Sequence, residues 1–297
     1  MSTPRFLTLP SAVRRVDVET SRGRFAALEA IPGAGVCDRL PALLVPGFTG
    51  SKEDFIAILQ TLCAAGRRVL AVDMRGQYET PGPDDPHAYE CAALGADVSA
   101  LCREMGGRVH LLGHSFGGLV ARETVLAGEQ PLASFTLMSS GPGAITGQRE
   151  VEGRELLAAL GGTDDAGRPI TVATLWDGVL EPQAVAGGVP AEIVAFLRRR
   201  MLANSPVGLA QMGHEVLSCP DRVDELVKAD LPKLVLYGEN DDGWETGVQA
   251  EMAGRIGAAK VVIPGAAHSP AVDAPETTAS ALTEFWNAAE RSVPGSA

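Results

Sequence analysis

Four short apolar runs recur along the first half of this chain: Ala42 to Val45, Val69 to Val72, Val109 to Leu112 and Phe135 to Met138. A strand can be apolar at every position only if both of its faces are buried, and such strands belong to parallel sheets covered by helices. Between the runs lie segments of helical periodicity, Asp54 to Ala64, Cys91 to Glu104 and Gly117 to Leu126. Strand and helix in alternation predict an α/β protein with a doubly wound, mostly parallel sheet. Ahead of the first run, Val13 to Val18 and Arg24 to Ile31, with Gly23 near the turn, read as an antiparallel hairpin. The alternation stops after Ser140 and resumes at Lys233 to Gly238, followed by a last strand, Ala259 to Ile263, and a helix, Pro275 to Ala289. The intervening stretch carries helix-like pieces, Glu150 to Leu160 and Ala191 to Leu202, separated by Gly161 to Asp165 and Gly187 to Pro190. We read residues 141–213 as a helical insertion above the sheet and residues 1–140 and 214–297 as the core that carries it.

Gly113-His114-Ser115-Phe116-Gly117 fits the pattern GxSxG. With 34 glycines in 297 residues the pentapeptide alone could arise by chance. Its surroundings decide the matter. An apolar strand runs directly into it and a helix continues from Gly118, the strand, tight turn and helix that a nucleophile elbow requires. The serine would sit in a strained turn whose flanking glycines let strand and helix approach, at a helix N-terminus that favours developing negative charge.

At this point the chain resembles the α/β-hydrolase superfamily, over most of its length from about Val13 to the final helix. Among its members it is most similar in style to cofactor-free esterases, lactonases and haloperoxidase-like hydrolases with a helical cap. A serine hydroxyl near neutrality needs a general base. Of the five histidines, His87 and His110 precede the serine, His114 flanks it, and His214 lies in or near the insertion. His268 alone follows the last strand, in a loop at the sheet edge where catalytic groups collect. The superfamily order of serine, acid and histidine implies an acid in Gly238-Glu239-Asn240-Asp241-Asp242. The common spacing of three residues beyond the glycine falls on Asp241, with Asp242 as the competitor. The resemblance further implies an oxyanion hole made by the backbone amides of Phe116 and of Phe48, the latter in Pro46-Gly47-Phe48-Thr49-Gly50, where proline replaces the usual histidine. Asp73-Met74-Arg75-Gly76 resembles the family's bracing segment and continues unusually into Gln77-Tyr78-Glu79-Thr80. Trp176, Met201 and Met212, with Phe196, are candidates for a substrate pocket.

Other chemistries are disfavoured. A net charge of −12 opposes contact with nucleic acid or an anionic membrane surface. The five cysteines, Cys37, Cys63, Cys91, Cys102 and Cys219, have no metal or redox spacing and read as reduced core residues. Gly47 to Lys52 lacks the spacing of a phosphate-binding loop, and Gly141-Pro142-Gly143 lacks that of a dinucleotide site. No signal-peptide or membrane-spanning run is evident, so a cytoplasmic location is expected, with a small-molecule substrate and no cofactor or metal. The expected reaction is cleavage of an ester, lactone or thioester through an acyl-serine. The alternatives are carbon–carbon bond hydrolysis or perhydrolase-like chemistry at the same triad and, from a different class, a non-catalytic ligand-binding protein.

Overall fold

Eight strands form one sheet in the order β1-β2-β4-β3-β5-β6-β7-β8. They are β1 (Val13–Thr20), β2 (Gly23–Ala30), β3 (Ala42–Val45), β4 (Val69–Val72), β5 (Val109–His114), β6 (Leu132–Met138), β7 (Lys233–Gly238) and β8 (Ala259–Ile263). The computed structural model describes residues 2–33, 39–129, 131–160, 162–163, 167 and 169–292. β2 is antiparallel to both β1 and β4, and every pairing from β4 to β8 is parallel. The expected doubly wound, mostly parallel sheet is thus present, with the expected hairpin at one edge.

The apolar runs are buried for the reason their sequences suggest. β3, β4 and β5 are covered on both faces. Leu43, Val45, Leu70 and Leu111 join one core layer, with helices Cys91–Met105 and Phe116–Ala127. Ala42, Leu44, Val69 and Leu112 join the other, with helices Ile56–Ala64 and Pro275–Arg291. Alternate side chains of one strand therefore serve opposite layers, and truncating a fully buried leucine such as Leu44 would cost about 2–5 kcal/mol. Because the chain passes from β3 to β4 on one side and then to β5 on the other, the carboxyl ends of β3 and β5 form a switch point, the place where open α/β sheets leave a crevice.

Between β6 and β7 the chain forms helices Gln148–Leu160, Val172–Leu175, Glu181–Ala186, Ala191–Ala203 and Pro206–Ser218. The last of these runs across the boundary expected at 213 and 214. Trp176, Ile193, Phe196, Leu197, Met201 and Leu209 make a small apolar cluster of their own. One buried ion pair ties this cluster to the turn after β3: Arg200 donates to Asp54 Oδ1 at 2.8 Å and also to the Ser2 carbonyl at 2.7 Å. Helix Gln148–Leu160, by contrast, contributes no buried residue. The two ends of the segment meet, the Ala144 amide donating to the Cys219 carbonyl at 2.7 Å. Cys63, Cys91, Cys102 and Cys219 are buried; Cys37, and part of the loop expected at 161–165, lie outside the described residues. Among the described residues no helix is long and apolar enough to cross a membrane.

Candidate active site

β5 ends at His114 and a helix begins at Phe116, so the chain must reverse its course at a single residue. Ser115 does so at φ 54° and ψ −124°, a backbone cost of about 1–3 kcal/mol that the packing must hold in place. That packing explains both glycines of the motif. A Cβ at Gly113 would lie 2.2 Å from the Gly117 carbonyl oxygen, and one at Gly117 would lie 2.3 Å from that of Pro46. Strand, helix and the loop after β3 therefore meet backbone to backbone around the serine.

The structure brings Ser115, His268 and Asp241 together. His268 Nε2 lies 2.9 Å from Ser115 Oγ, and His268 Nδ1 lies 2.7 Å from Asp241 Oδ1. The Asp241 carboxylate is buried and accepts from the Gly243 amide and from Gln249 Nε2, each at 2.9 Å. Burial alone would raise its pKa, but the bonds and charge of His268, with Gln249 and Gly243, outweigh it and hold the carboxyl below its ordinary value. The competitor Asp242 is exposed at the same edge and pairs with Arg149.

His114 and Gly243 take parts in the site that the sequence did not reveal. The buried His114 ring donates from Nε2 to the His268 carbonyl at 2.8 Å, fastening the histidine loop to the elbow. Burial, aided by repulsion from the His268 ring, lowers the His114 pKa to about 4, so it is neutral near pH 7. A Cβ at Gly243 would come within 2.2 Å of the His268 ring, so only glycine leaves room for it. The cue available in sequence was position alone: one residue adjoins the serine, the other lies two beyond the acid.

On the opposite side of the serine, a Cβ at Gly47 would stand 3.0 Å from Ser115 Cβ and 3.4 Å from its Oγ. The Gly47 carbonyl is held by Gln77 Nε2 at 2.9 Å and by the Gly50 amide at 3.0 Å, so the unusual Gln77 acts as a brace. Phe48 follows Gly47 and Phe116 opens the helix, whose first amides have no acceptor within it. Asp73, of the bracing segment, accepts from Lys52 Nζ at 2.7 Å; burial raises its pKa to about 7 in spite of that lysine.

Ser115 and His268 open into a cavity of about 830 Å³ lined by Phe48, Ile145, Leu156, Leu157, Leu175, Leu180, Met201 and Leu217, with Asp54, Arg149, Glu152, Glu155, Asp242 and Asp273 as charged members. Met201, a candidate from the sequence, is among these lining residues. Trp176 and Met212 are not among the described lining residues: Trp176 packs in the small cluster with Phe196, its indole donating to Glu181 at 3.0 Å, and Met212 is buried in the core layer of the Ser115 helix. Among the described residues, Asp241, Asp242 and His268 are the one set of three side chains close enough to share a metal ion, and all three are engaged as described above.

A mostly parallel sheet with a serine at its switch point, met there by a carboxylate and a histidine from the ends of later strands, defines the class of enzyme known as α/β hydrolases. The model of the alpha/beta hydrolase family matches residues 42–281, and the chain belongs to that family. It is similar to a proline iminopeptidase of Levilactobacillus brevis, 28% identical over 85% of this chain and 90% of the other. It is also similar to a Bacillus subtilis protein named "Putative 2-succinyl-6-hydroxy-2,4-cyclohexadiene-1-carboxylate synthase", 24% identical over 91% of this chain and 97% of the other. Among solved structures, a thermophilic esterase from Thermogutta terrifontis superposes with a TM-score of 0.72 at 25% identity, covering 93% of this chain and 99% of that one.

Proposed function

We propose that this enzyme is a serine hydrolase that cleaves an ester, lactone or thioester of a small molecule through an acyl-Ser115 intermediate. The observation that carries the reading is the position of His268, in contact with Ser115 through one ring nitrogen and with Asp241 through the other. In that arrangement Nε2 takes the serine proton as Oγ attacks the carbonyl carbon, then returns it to the leaving group. Asp241 accepts from Nδ1–H, fixing the tautomer that leaves Nε2 free as base and stabilising the imidazolium that follows. The backbone amides of Phe48 and Phe116 meet the tetrahedral oxyanion, a contribution worth about 3–4 kcal/mol per donor in the transition state. Water then enters in place of the leaving group and His268 activates it in turn.

The helical segment between Ala144 and Cys219 acts as a cap over the site, and the apolar lining from Leu156, Leu157, Leu175 and Leu217 supports an uncharged acyl or ring moiety as the part of the substrate that is buried. The names of relatives include a peptidase and a synthase, so the reading rests on this chain's own geometry. Treatment with a fluorophosphonate, followed by peptide mapping, tests it: Ser115 is labelled in the native enzyme and labelling is lost in Ser115→Ala and His268→Ala. A folded protein that resists the probe overturns the reading. The chain length of p-nitrophenyl esters accepted then measures the acyl side of the cavity.

A further inference from the structure

We propose that Cys91 and Cys219 are a redox-active dithiol, which a hydroperoxide oxidises to an intramolecular disulfide that fastens the exit of the helical segment to the core.

The two residues come from distant parts of the chain. Cys91 is the first residue of helix Cys91–Met105, and Cys219 is the C-cap of helix Pro206–Ser218. Their sulfurs stand 3.8 Å apart, both buried. A disulfide needs a separation of about 2.05 Å, so the sulfurs are within a small side-chain adjustment of bonding. Neither takes part in the chemistry at Ser115.

Their surroundings differentiate the two thiols. The Arg122 guanidinium donates from Nη2 to Cys219 Sγ at 3.1 Å, sharing that nitrogen with Glu123 at 3.0 Å. Nη1 of the same guanidinium donates to the Pro142 carbonyl at 2.6 Å and the Pro220 carbonyl at 3.2 Å. The cation is thus fixed at the crossing of the segment's entrance and exit, beside one sulfur. The hydrogen-bonded Cys91 thiol lowers the Cys219 pKa to about 7; burial opposes this and Arg122 adds to it. Cys91 is pushed up, by Cys219 first and by burial after it, and has the Glu215 carboxylate on its backbone amide at 3.0 Å. One sulfur is therefore suited to be a thiolate nucleophile and the other to be the thiol that resolves it.

The chemistry is balanced as follows. The Cys219 thiolate attacks one peroxide oxygen; an S–O bond forms, the O–O bond breaks, and the leaving oxygen departs as water, or as an alcohol from an organic hydroperoxide, after taking up a proton. The sulfenic acid on Cys219 is then attacked by the Cys91 sulfur; an S–S bond forms, the S–O bond breaks, and the oxygen leaves as water with the proton from Cys91. Two electrons pass from the sulfurs to the peroxide. Hydrogen peroxide is close to water in size, which suits a buried pair. The bond closes a loop across a sequence separation of 128, and constraint of that kind raises the unfolding temperature.

The test uses the full chain, reduced with dithiothreitol, freed of it and exposed to hydrogen peroxide, then alkylated in denaturant and mapped by mass spectrometry. The expected result is a peptide pair linked through Cys91 and Cys219, with both sites protected from alkylation, and a melting temperature several degrees above that of the reduced protein. In Cys91→Ser, dimedone should trap a sulfenic acid on Cys219; in Cys219→Ser the linked peptide should disappear. Peptides that still alkylate fully at Cys91 and Cys219, while methionine sulfoxide elsewhere proves that the oxidant acted, overturn the proposal. So does a Cys91→Ser protein whose Cys219 remains an unmodified thiol under the same treatment. Because thiol mapping does not depend on turnover, failure here is distinct from failure of the hydrolase reading.

Discussion

Asp241 faces His268 at 2.7 Å with a carboxylate closed off from solvent, whereas its neighbour in sequence, Asp242, reaches out to Arg149. Two adjacent aspartates thus make opposite predictions. Asp241→Asn should lower kcat by on the order of 10⁴-fold, since the amide disrupts the tautomer of His268, while Asp242→Asn should stay within a few-fold of the parent. Steady-state kinetics on a p-nitrophenyl ester separates them, and equal losses in the two variants would refute the assignment of the acid.

Gly243→Ala should damage the enzyme without unfolding it. The new methyl meets the tip of the His268 ring, which can rotate away at modest cost but then leaves Ser115. A displacement of about 1 Å at a reacting group can cost 10²-fold, so kcat and fluorophosphonate labelling should fall together by about that factor with little change in melting temperature.

His114 predicts a pH dependence of stability. Its folded-state pKa is depressed from 6.5 to about 4, by burial first and then by His268. A base depressed in this way is neutral in the fold while the unfolded chain takes up a proton below pH 6.5. Its contribution is therefore complete above that pH and is lost as pH falls from 6.5 to 4, by on the order of 3 kcal/mol. His114→Gln keeps a donor at the same reach and has no proton to gain. Urea denaturation between pH 4 and 7 should show a shallower slope for this variant.

Arg200 is the buried cation that holds the apolar cluster of the helical segment to the loop after β3. Arg200→Met strands the Asp54 carboxylate and should destabilise by about 3–5 kcal/mol, seen as a melting temperature lowered by roughly 10 °C. Adding Asp54→Leu removes the orphaned charge, and the double variant should recover much of the loss.

The parallel sheet was legible because its strands are buried on both faces: β3 and β4 begin and end where the apolar runs do, and β5 and β6 are longer by a few residues at their ends. Ser115 was legible because its strand, turn and helix are contiguous. Asp241 was harder to fix, since which of two adjacent carboxylates turns inward depends on the Gly243 amide and Gln249, contacts made only once the loop has closed. The pocket was the least legible part. Trp176 and Met212 are large and apolar, as lining residues often are, but the same property serves a core equally well, and only the packing of the helices determines which one they join. His114 was hidden for a related reason: its partner is a backbone carbonyl 154 positions away, which leaves no pattern in the sequence.

The meeting of Ala144 and Cys219 has a consequence for how such enzymes diverge. A segment that leaves and re-enters a sheet at nearly one point can be lengthened, shortened or exchanged while β6 and β7 remain paired, because the cost of closing a longer loop grows only slowly with its length. Ser115, Asp241 and His268 lie wholly outside that detour. A lineage built on this plan can change what its members recognise while leaving unchanged how they react, so ancestry will be read more faithfully in the sheet than substrate preference will.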